Sequence, residues 1–220
     1  MEIQKAQQKL AVNPKKNTTF QIASMIQVDS MISDKFRAAL VYKLVREFEY
    51  QRKTSISERP ALEQEVKALV HEYLLFIWLK MLNPKQDISP PKSIDLVWHQ
   101  HILFTKEYSE FCQHHFGFFL HHSPTVPGYS NKTRKENIKT YAEVLIRYKY
   151  HTKLEPPRQF WPQSGPVEKF LKELQKHVIV ENSRVKFASS EGKTIDIHDG
   201  MSEVEDNYDM CGGCARCNDD

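Results

Sequence analysis

Residues 93–124 read SIDLVWHQHILFTKEYSEFCQHHFGFFLHHSP, a stretch in which histidines and aromatic residues are concentrated. It holds six of the ten histidines, one of the three tryptophans and one of the four cysteines. Pro90 and Pro91 come just before it, and proline is tolerated in the first turn of a helix. Gly117 is a natural stop, because glycine adopts the left-handed conformation that ends helices at no steric cost. The pattern predicts one helix of roughly six turns, at ~3.6 residues per turn, capped by Ser93 and ended by Gly117.

The two histidines of the Trp-His-Gln-His segment face different ways on such a helix. A helix turns by about 100° per residue, so Asp95 and His99, four residues apart, share a face. His101 lies about 200° round the helix from His99, and a straight helix cannot bring both imidazoles to one metal ion. We expect His101 to lie instead on a stripe with Trp98 and Tyr108.

Beyond this helix the chain presents two adjacent histidines, His121 and His122. In an extended segment their side chains point in opposite directions, so one of them can turn toward Asp95 and His99. Two imidazoles and a carboxylate form a ligand set used by zinc and by non-haem iron, with positions left open for water or substrate. The pattern therefore predicts a metal site built from Asp95, His99 and one of the two later histidines.

Two further residues are assigned to chemistry at this site. His101 and Tyr108 are predicted to be supporting or acid/base groups, because imidazole titrates in the physiological range. A structural interpretation stands beside this one, since a helical histidine next to a tryptophan is often buried, and Asp95 in a first helical turn is favoured by the helix dipole alone. Two functions follow: a histidine/carboxylate site acting on a small molecule or peptide, and a non-catalytic interaction module whose histidines are structural.

Three segments, IDLVWHQHIL, TKEYSEFC and FGFFLHHSP, form a pattern that resembles the glycine-rich domain-containing protein family of plants and bacteria. The similarity is densest over residues 93–124 and extends weakly to Phe160, Trp161 and Pro162, where relatives carry an aromatic-proline segment. Many relatives also carry long glycine- and cysteine-rich tails, whereas this chain has seven glycines in all and only a short MCGGCARC segment near its end. The positions that carry the resemblance are Asp95, Trp98, His99, His101, Tyr108, Cys112, Phe116, Gly117, His121, His122 and Pro124.

Composition narrows the class of protein. With 220 residues, 40% of them apolar, the chain is expected to form one packed domain, or one domain with an appendage. No apolar run reaches the ~18 residues that span a bilayer, and the first residues, MEIQKAQQKL, lack a hydrophobic signal region. Four cysteines, three of them in the last ten residues, do not make a disulfide framework. These features predict a cytoplasmic protein without a transmembrane segment.

Charge is distributed unevenly along the chain. Residues 191–220 carry a net charge of −7, and because the whole chain is +3, residues 1–190 carry +10. The basic body can bind an anionic partner, be covered by the acidic tail, or simply gain solubility from its charge. The lysines are dispersed and no basic-aromatic motif is present, so we expect a small-molecule or protein partner and no nucleic acid.

Apolar periodicity predicts a mainly α-helical fold. Core-facing apolar stripes indicate one helix that begins at Ser33. Further stripes indicate helices over residues 60–82, 93–117, 132–151 and 164–177. Short β-branched runs indicate two or three strands further on. The prediction is a compact bundle of five or six helices over residues 1–177, a small β appendage over 178–200, and a disordered, acidic, cysteine-rich tail over 201–220.

The tail ends in three regularly spaced cysteines, Cys211, Cys214 and Cys217. Three thiolates can hold zinc, or an iron–sulfur cluster with one external ligand, and Cys-x-x-Cys also serves redox exchange. The tail is therefore a second predicted metal site; the alternative is a flexible segment that binds metal only adventitiously. The cofactor predicted for the chain is zinc or iron.

Overall fold

The computed structural model describes residues 28–82, 84, 88–122, 131–181 and 184–187. In these ranges the chain forms six α-helices, which confirms the prediction of a mainly helical protein there. A 3₁₀ turn follows the last helix, and the backbone of β1 (Val178–Glu181) pairs antiparallel with β2 (Arg184–Phe187), inside the region predicted as a β appendage. The helices are α1 (Asp34–Arg52), α2 (Arg59–Leu82), α3 (Lys92–Leu103), α4 (Thr105–Phe116), α5 (Asn131–Thr152) and α6 (Gly165–Leu174).

Helix α2 runs through the middle of the core, and α1 packs along it. Helix α1 begins at the predicted cap, since Ser33 Oγ accepts the backbone N–H of Phe36 at 3.2 Å and so satisfies a donor that the helix itself leaves unpaired. Helix α2 is fully enclosed over residues 72–80, where every side chain is buried. A helix that is apolar nearly all round must be covered on every side, and α1, α3 and α5 provide the cover.

The single helix predicted over residues 93–117 is wrong, because the chain breaks at Phe104 into α3 and α4. Phe104 has φ −84° and ψ 65°, and its N–H bonds to the carbonyl of His101, three residues back, which ends the α-helical ladder. The break turns the ring of Phe104 toward Phe36 of α1, edge to face at 5.2 Å between centroids. This contact joins residues far apart in sequence, so no local pattern could have indicated it.

The two ends of this helical pair were predicted with different success. Ser93 is not the cap of α3, because Pro91 takes that position and Ser93 Oγ instead donates to the carbonyl of Phe160 at 3.0 Å. Gly117 does end α4, with the φ of 73° that glycine adopts without steric cost.

The proline-rich connector between α5 and α6 docks on the helices that carry the candidate site. Trp161 is fully buried and donates its indole N–H to the carboxylate of Glu72 in α2 at 2.8 Å. Phe160 is buried beside it and accepts the bond from Ser93 at the start of α3. The aromatic pair therefore fixes the connector on the core and ties it to the helix from which the first candidate ligands project.

Some predictions concern residues outside the described ranges. The possible third strand near residues 195–197, the acidic tail and its Cys211, Cys214 and Cys217 all lie there. Among the helices of the described part, none combines the length and the apolar character that crossing a membrane requires.

Candidate metal centre

Three of the predicted ligands, Asp95, His99 and His122, come together beside α3. The ligand atoms of the three residues all lie within 4.8 Å of one another. One turn of α3 separates Asp95 from His99, and Asp95 Oδ2 lies 3.4 Å from His99 Nε2. His122 is delivered by the segment that follows α4, and its Nε2 lies 2.6 Å from Asp95 Oδ1. Each oxygen of the carboxylate therefore faces one imidazole.

The cluster is buried on one side and open on the other. The side chains of Asp95 and His122 are only 7% and 8% exposed, whereas that of His99 is 25% exposed. Asp95 lies in the first turn of α3, where the positive end of the helix dipole favours a negative charge. Among the described residues, the exposed side of the cluster is therefore that of His99, and the carboxylate lies in the less polar interior.

The protonation of His99 suits metal binding. Burial lowers the pKa of His99, the negative charge of Asp95 partly opposes this, and His122 lowers it further. At neutral pH the ring is therefore mainly neutral, and a neutral imidazole nitrogen is the form that can donate a lone pair to a metal ion.

His122 presents to Asp95 the nitrogen that a metal ion would also use. A carboxylate accepts hydrogen bonds, so at 2.6 Å the Nε2–H of His122 donates to Asp95 Oδ1. Coordination through Nε2 needs its lone pair, which requires the proton to leave or to move to Nδ1. His122 Nε2 therefore cannot bind a metal ion and donate this hydrogen bond at the same time. The observed position of the ring is compatible with either state.

Trp98 forms the wall behind His122. The two rings meet edge to face with centroids 4.5 Å apart, and His122 meets His99 in the same way at 4.6 Å. The indole N–H of Trp98 donates to the hydroxyl of Tyr108 at 2.9 Å. The sequence predicted that Trp98 and Tyr108 share a stripe. It did not show that Trp98 would pack against a ligand, because that ligand, His122, lies beyond α4.

The predicted catalytic residues, His101 and Tyr108, lie in the core beside the cluster. Both side chains are buried, and their rings meet edge to face at 5.0 Å. His101 Nδ1 lies 2.7 Å from the hydroxyl of Tyr73, and its Nε2 has no hydrogen-bond partner among the described residues. Burial lowers the pKa of His101 to about 4, so the ring is neutral at pH 7. The hydrogen bonds that these two side chains make go to Tyr73, Trp98 and Leu120.

Of the remaining predicted ligands, only His121 lies within the described residues, and it is not part of the cluster. His121 is exposed, and its ring lies against Phe119 with centroids 5.0 Å apart. The two adjacent histidines thus differ as expected of an extended segment, with His122 turned inward. The three tail cysteines lie outside the described residues.

A second buried carboxylate, Glu72 of α2, was missed by sequence reasoning. Its oxygens accept the indole N–H of Trp161 at 2.8 Å and the hydroxyl of Tyr148 at 3.3 Å. Burial raises the pKa of Glu72, and the two hydrogen bonds only partly oppose this. The residue stands one position before YLLFIWL, and a single acid at the edge of an apolar run gives no sign of whether it points into the core or out of it.

Comparison with known proteins identifies one family. A family model described as UCP032817-like matches residues 21–155, which include α1 to α5 and all three residues of the cluster. No curated protein and no solved structure matches the chain. The matched part covers well over half of the sequence and stops at the connector that carries Trp161.

Proposed function

This chain belongs to the UCP032817-like family, and we propose that it binds one divalent metal ion through Asp95, His99 and His122. The observation that carries the proposal is the meeting of two imidazole nitrogens with the two oxygens of one buried carboxylate. Zinc and ferrous iron are the ions proposed, since both are held by two histidines and a carboxylate in proteins.

The spacing of the ligand atoms suits such an ion. Nitrogen and oxygen ligands lie about 2.0–2.2 Å from zinc, so two of them around one ion are roughly 3–3.5 Å apart. The measured separations from Asp95 are 2.6 Å to His122 and 3.4 Å to His99. All three ligand atoms lie within 4.8 Å of one another, so admitting the ion would require side-chain rotations that widen the shortest separation and narrow any longer one.

Three protein ligands leave at least one coordination position for water or substrate. A metal ion in that state can polarise a carbonyl or phosphoryl oxygen, or lower the pKa of a bound water so that it attacks as hydroxide. Because His99 is partly exposed, we expect that position to face solvent. We propose a small molecule or a peptide as the substrate, with His101 and Tyr108 supporting the ligands from the core.

A second candidate is an interaction module in which the histidines are structural. The 2.6 Å hydrogen bond between His122 and Asp95 favours it, because that bond satisfies both buried groups without a metal ion. In this case the cluster would hold the segment after α4 in place, and a protein partner would bind elsewhere.

Metal analysis of the purified full-length protein separates the candidates. We expect one equivalent of metal in the wild type, its loss in His99→Ala, and its retention in His121→Ala, a matched control that removes the adjacent exposed histidine. Retention is also expected when Cys211, Cys214 and Cys217 are all changed to serine. Metal that disappears only in the cysteine variant would move the site to the tail, and a wild type that takes up no zinc or iron would favour the structural cluster.

Two finer assignments accompany the proposal. We also propose kinship with glycine-rich domain-containing proteins, on the motif residues from Asp95 to His122 that carry the resemblance. The cytoplasm is proposed as the compartment, because Cys112 is a free, buried thiol and the other cysteines can act as thiolates only where they remain reduced.

A further inference from the structure

We propose that Tyr108 is the positioning residue of the metal centre, and that its hydroxyl sets the place of His122 through Trp98 and the carbonyl of Leu120. This inference rests on the proposed metal-binding function and names the group that brings the third ligand to the other two.

The hydroxyl of Tyr108 joins two separate parts of the chain. It accepts the indole N–H of Trp98 in α3 at 2.9 Å and donates to the carbonyl of Leu120, beyond α4, at 2.6 Å. A tyrosine hydroxyl can donate one hydrogen bond and also accept, and here it does both. One atom therefore links the helix that carries Asp95 and His99 to the segment that carries the third ligand.

Both partners of this hydroxyl lie next to His122, Trp98 by ring contact and Leu120 along the backbone. Leu120 lies two residues before it, so a bond to the Leu120 carbonyl limits where the backbone can deliver the imidazole. The ring of Trp98 meets the imidazole edge to face at 4.5 Å, so the orientation of the indole determines which ring position is allowed. The third ligand is thus held through the backbone on one side and through packing on the other.

The Tyr108 side chain is itself held firmly. It is buried, with the ring of His101 at 5.0 Å and that of Phe119 at 5.3 Å, both edge to face. Burial raises the pKa of Tyr108 well above its ordinary value, so the hydroxyl keeps its proton and remains a donor. The support therefore does not change with pH in the physiological range.

This support is needed because the third ligand lies on irregular backbone. Asp95 and His99 are aligned by the repeat of α3, whereas no helix or strand covers residues 118–122. Residues that orient metal ligands typically contribute 10- to 100-fold to metal affinity, since a ligand misplaced by a few tenths of an ångström coordinates poorly.

The test compares two single-hydroxyl deletions in the full-length protein. Tyr108→Phe keeps the ring and removes both hydrogen bonds. Tyr141→Phe is the matched control, because Tyr141 is equally buried and its hydroxyl also donates to a backbone carbonyl, that of Pro162 at 2.9 Å. With a chromophoric chelator as competitor, we expect Tyr108→Phe to weaken Zn²⁺ binding by about 10-fold or more, and Tyr141→Phe to change it by less than about twofold.

Cobalt provides the readout that a loss of stability alone would not change. The visible absorption of bound Co²⁺ depends on the geometry of its ligands, so we expect Tyr108→Phe to alter the bands while Tyr141→Phe reproduces those of the wild type. Trp98→Phe, which removes the indole donor and keeps an aromatic ring, should alter the bands in the same direction. This second variant tests the proposal even if Tyr108→Phe fails to fold.

The possible failures are distinguishable. If His122→Ala abolishes Zn²⁺ binding but Tyr108→Phe and Trp98→Phe retain the affinity and the cobalt spectrum of the wild type, the positioning role is overturned and the metal centre stands. If the wild type binds neither ion, or binds both equally well without His122, the proposed function and this inference are overturned together.

Discussion

Two buried carboxylates, Asp95 in α3 and Glu72 in α2, show how the chemistry of the partners separates a candidate metal centre from a structural link. Each is presented by a helix, and each accepts from a group that a later part of the chain delivers. The partners of Asp95 include two imidazoles, which can give up a proton and offer a lone pair to a cation. The partners of Glu72 are an indole N–H and a phenol O–H, which here serve only as hydrogen-bond donors.

The two sites also differ in the solvent exposure of the groups around the carboxylate. His99, a partner of Asp95, is partly exposed to solvent, whereas Trp161 and Tyr148, the partners of Glu72, are both buried. Burial of an acid is therefore not enough to indicate a functional site. Asp95 is distinguished by neighbouring imidazoles, which can offer a lone pair to a cation, and by the partial solvent exposure of one of them, His99.

The two sites share one core. The ring of Phe76 in α2 lies 5.7 Å from that of Trp98, beside the cluster, and 6.4 Å from that of Trp161, beside Glu72. Because they share this packing, variants at one site are informative only when compared with matched variants at the other.

The largest expected difference between the sites is in metal affinity. Asp95→Asn keeps the size of the side chain and removes its charge, so we expect Zn²⁺ binding to weaken by more than about 100-fold, beyond the range typical of supporting residues. The matched variant Glu72→Gln should change the affinity by less than about twofold. Competition titration of the two proteins measures both affinities. Equal losses of Zn²⁺ affinity would show that Asp95 is not a metal ligand in a sense that Glu72 is not.

The next difference is in stability, where we expect Glu72 to matter more than Asp95. Glu72→Ala leaves the donors of Trp161 and Tyr148 buried without an acceptor, and we expect the free energy of unfolding to fall by about 3 kcal/mol. Asp95→Ala should cost less, about 2 kcal/mol in metal-free protein, because it leaves one buried donor, the Nε2–H of His122, without an acceptor, whereas His99 can bond to water. Urea denaturation in the presence of a chelator measures both losses. A greater loss of unfolding free energy for Asp95→Ala would mean that the cluster around Asp95 stabilises the fold more than the link between Glu72 and Trp161 does.

The smallest expected difference is in the pH dependence of stability. Burial raises the pKa of Glu72 above its ordinary value of 4.5, so the folded state binds this proton more tightly than the unfolded state. The stabilisation is fully present below the unfolded pKa and is lost as the pH rises through the folded pKa. Between about pH 4 and 8 we therefore expect wild type to lose on the order of 1 kcal/mol relative to Glu72→Gln.

Urea denaturation of both metal-free proteins at several pH values within that range provides this measurement. A wild type that instead gains stability over Glu72→Gln as the pH rises would mean that the bonds from Trp161 and Tyr148 outweigh burial and favour the charged carboxylate.

Much of the candidate site was predictable because half of it is local. Asp95 and His99 lie one helical turn apart, and any helix through them aligns their side chains. The alternation of an extended segment predicted that one of His121 and His122 would turn inward, but the residues themselves left open which one. The packing of His122 against Trp98 settles this point, and Trp98 depends in turn on the hydroxyl of Tyr108.

By itself, the sequence determined the helical class, the cap at Ser33, the end of α4 at Gly117 and the shared face of Asp95 and His99. Each depends on helical periodicity or on the conformational preference of one residue. Only the tertiary structure decided the features that join distant parts of the chain, because packing favours such contacts only once all the helices are in place. They are the break at Phe104 against Phe36, the link from Trp161 to Glu72, and the delivery of His122 to Asp95.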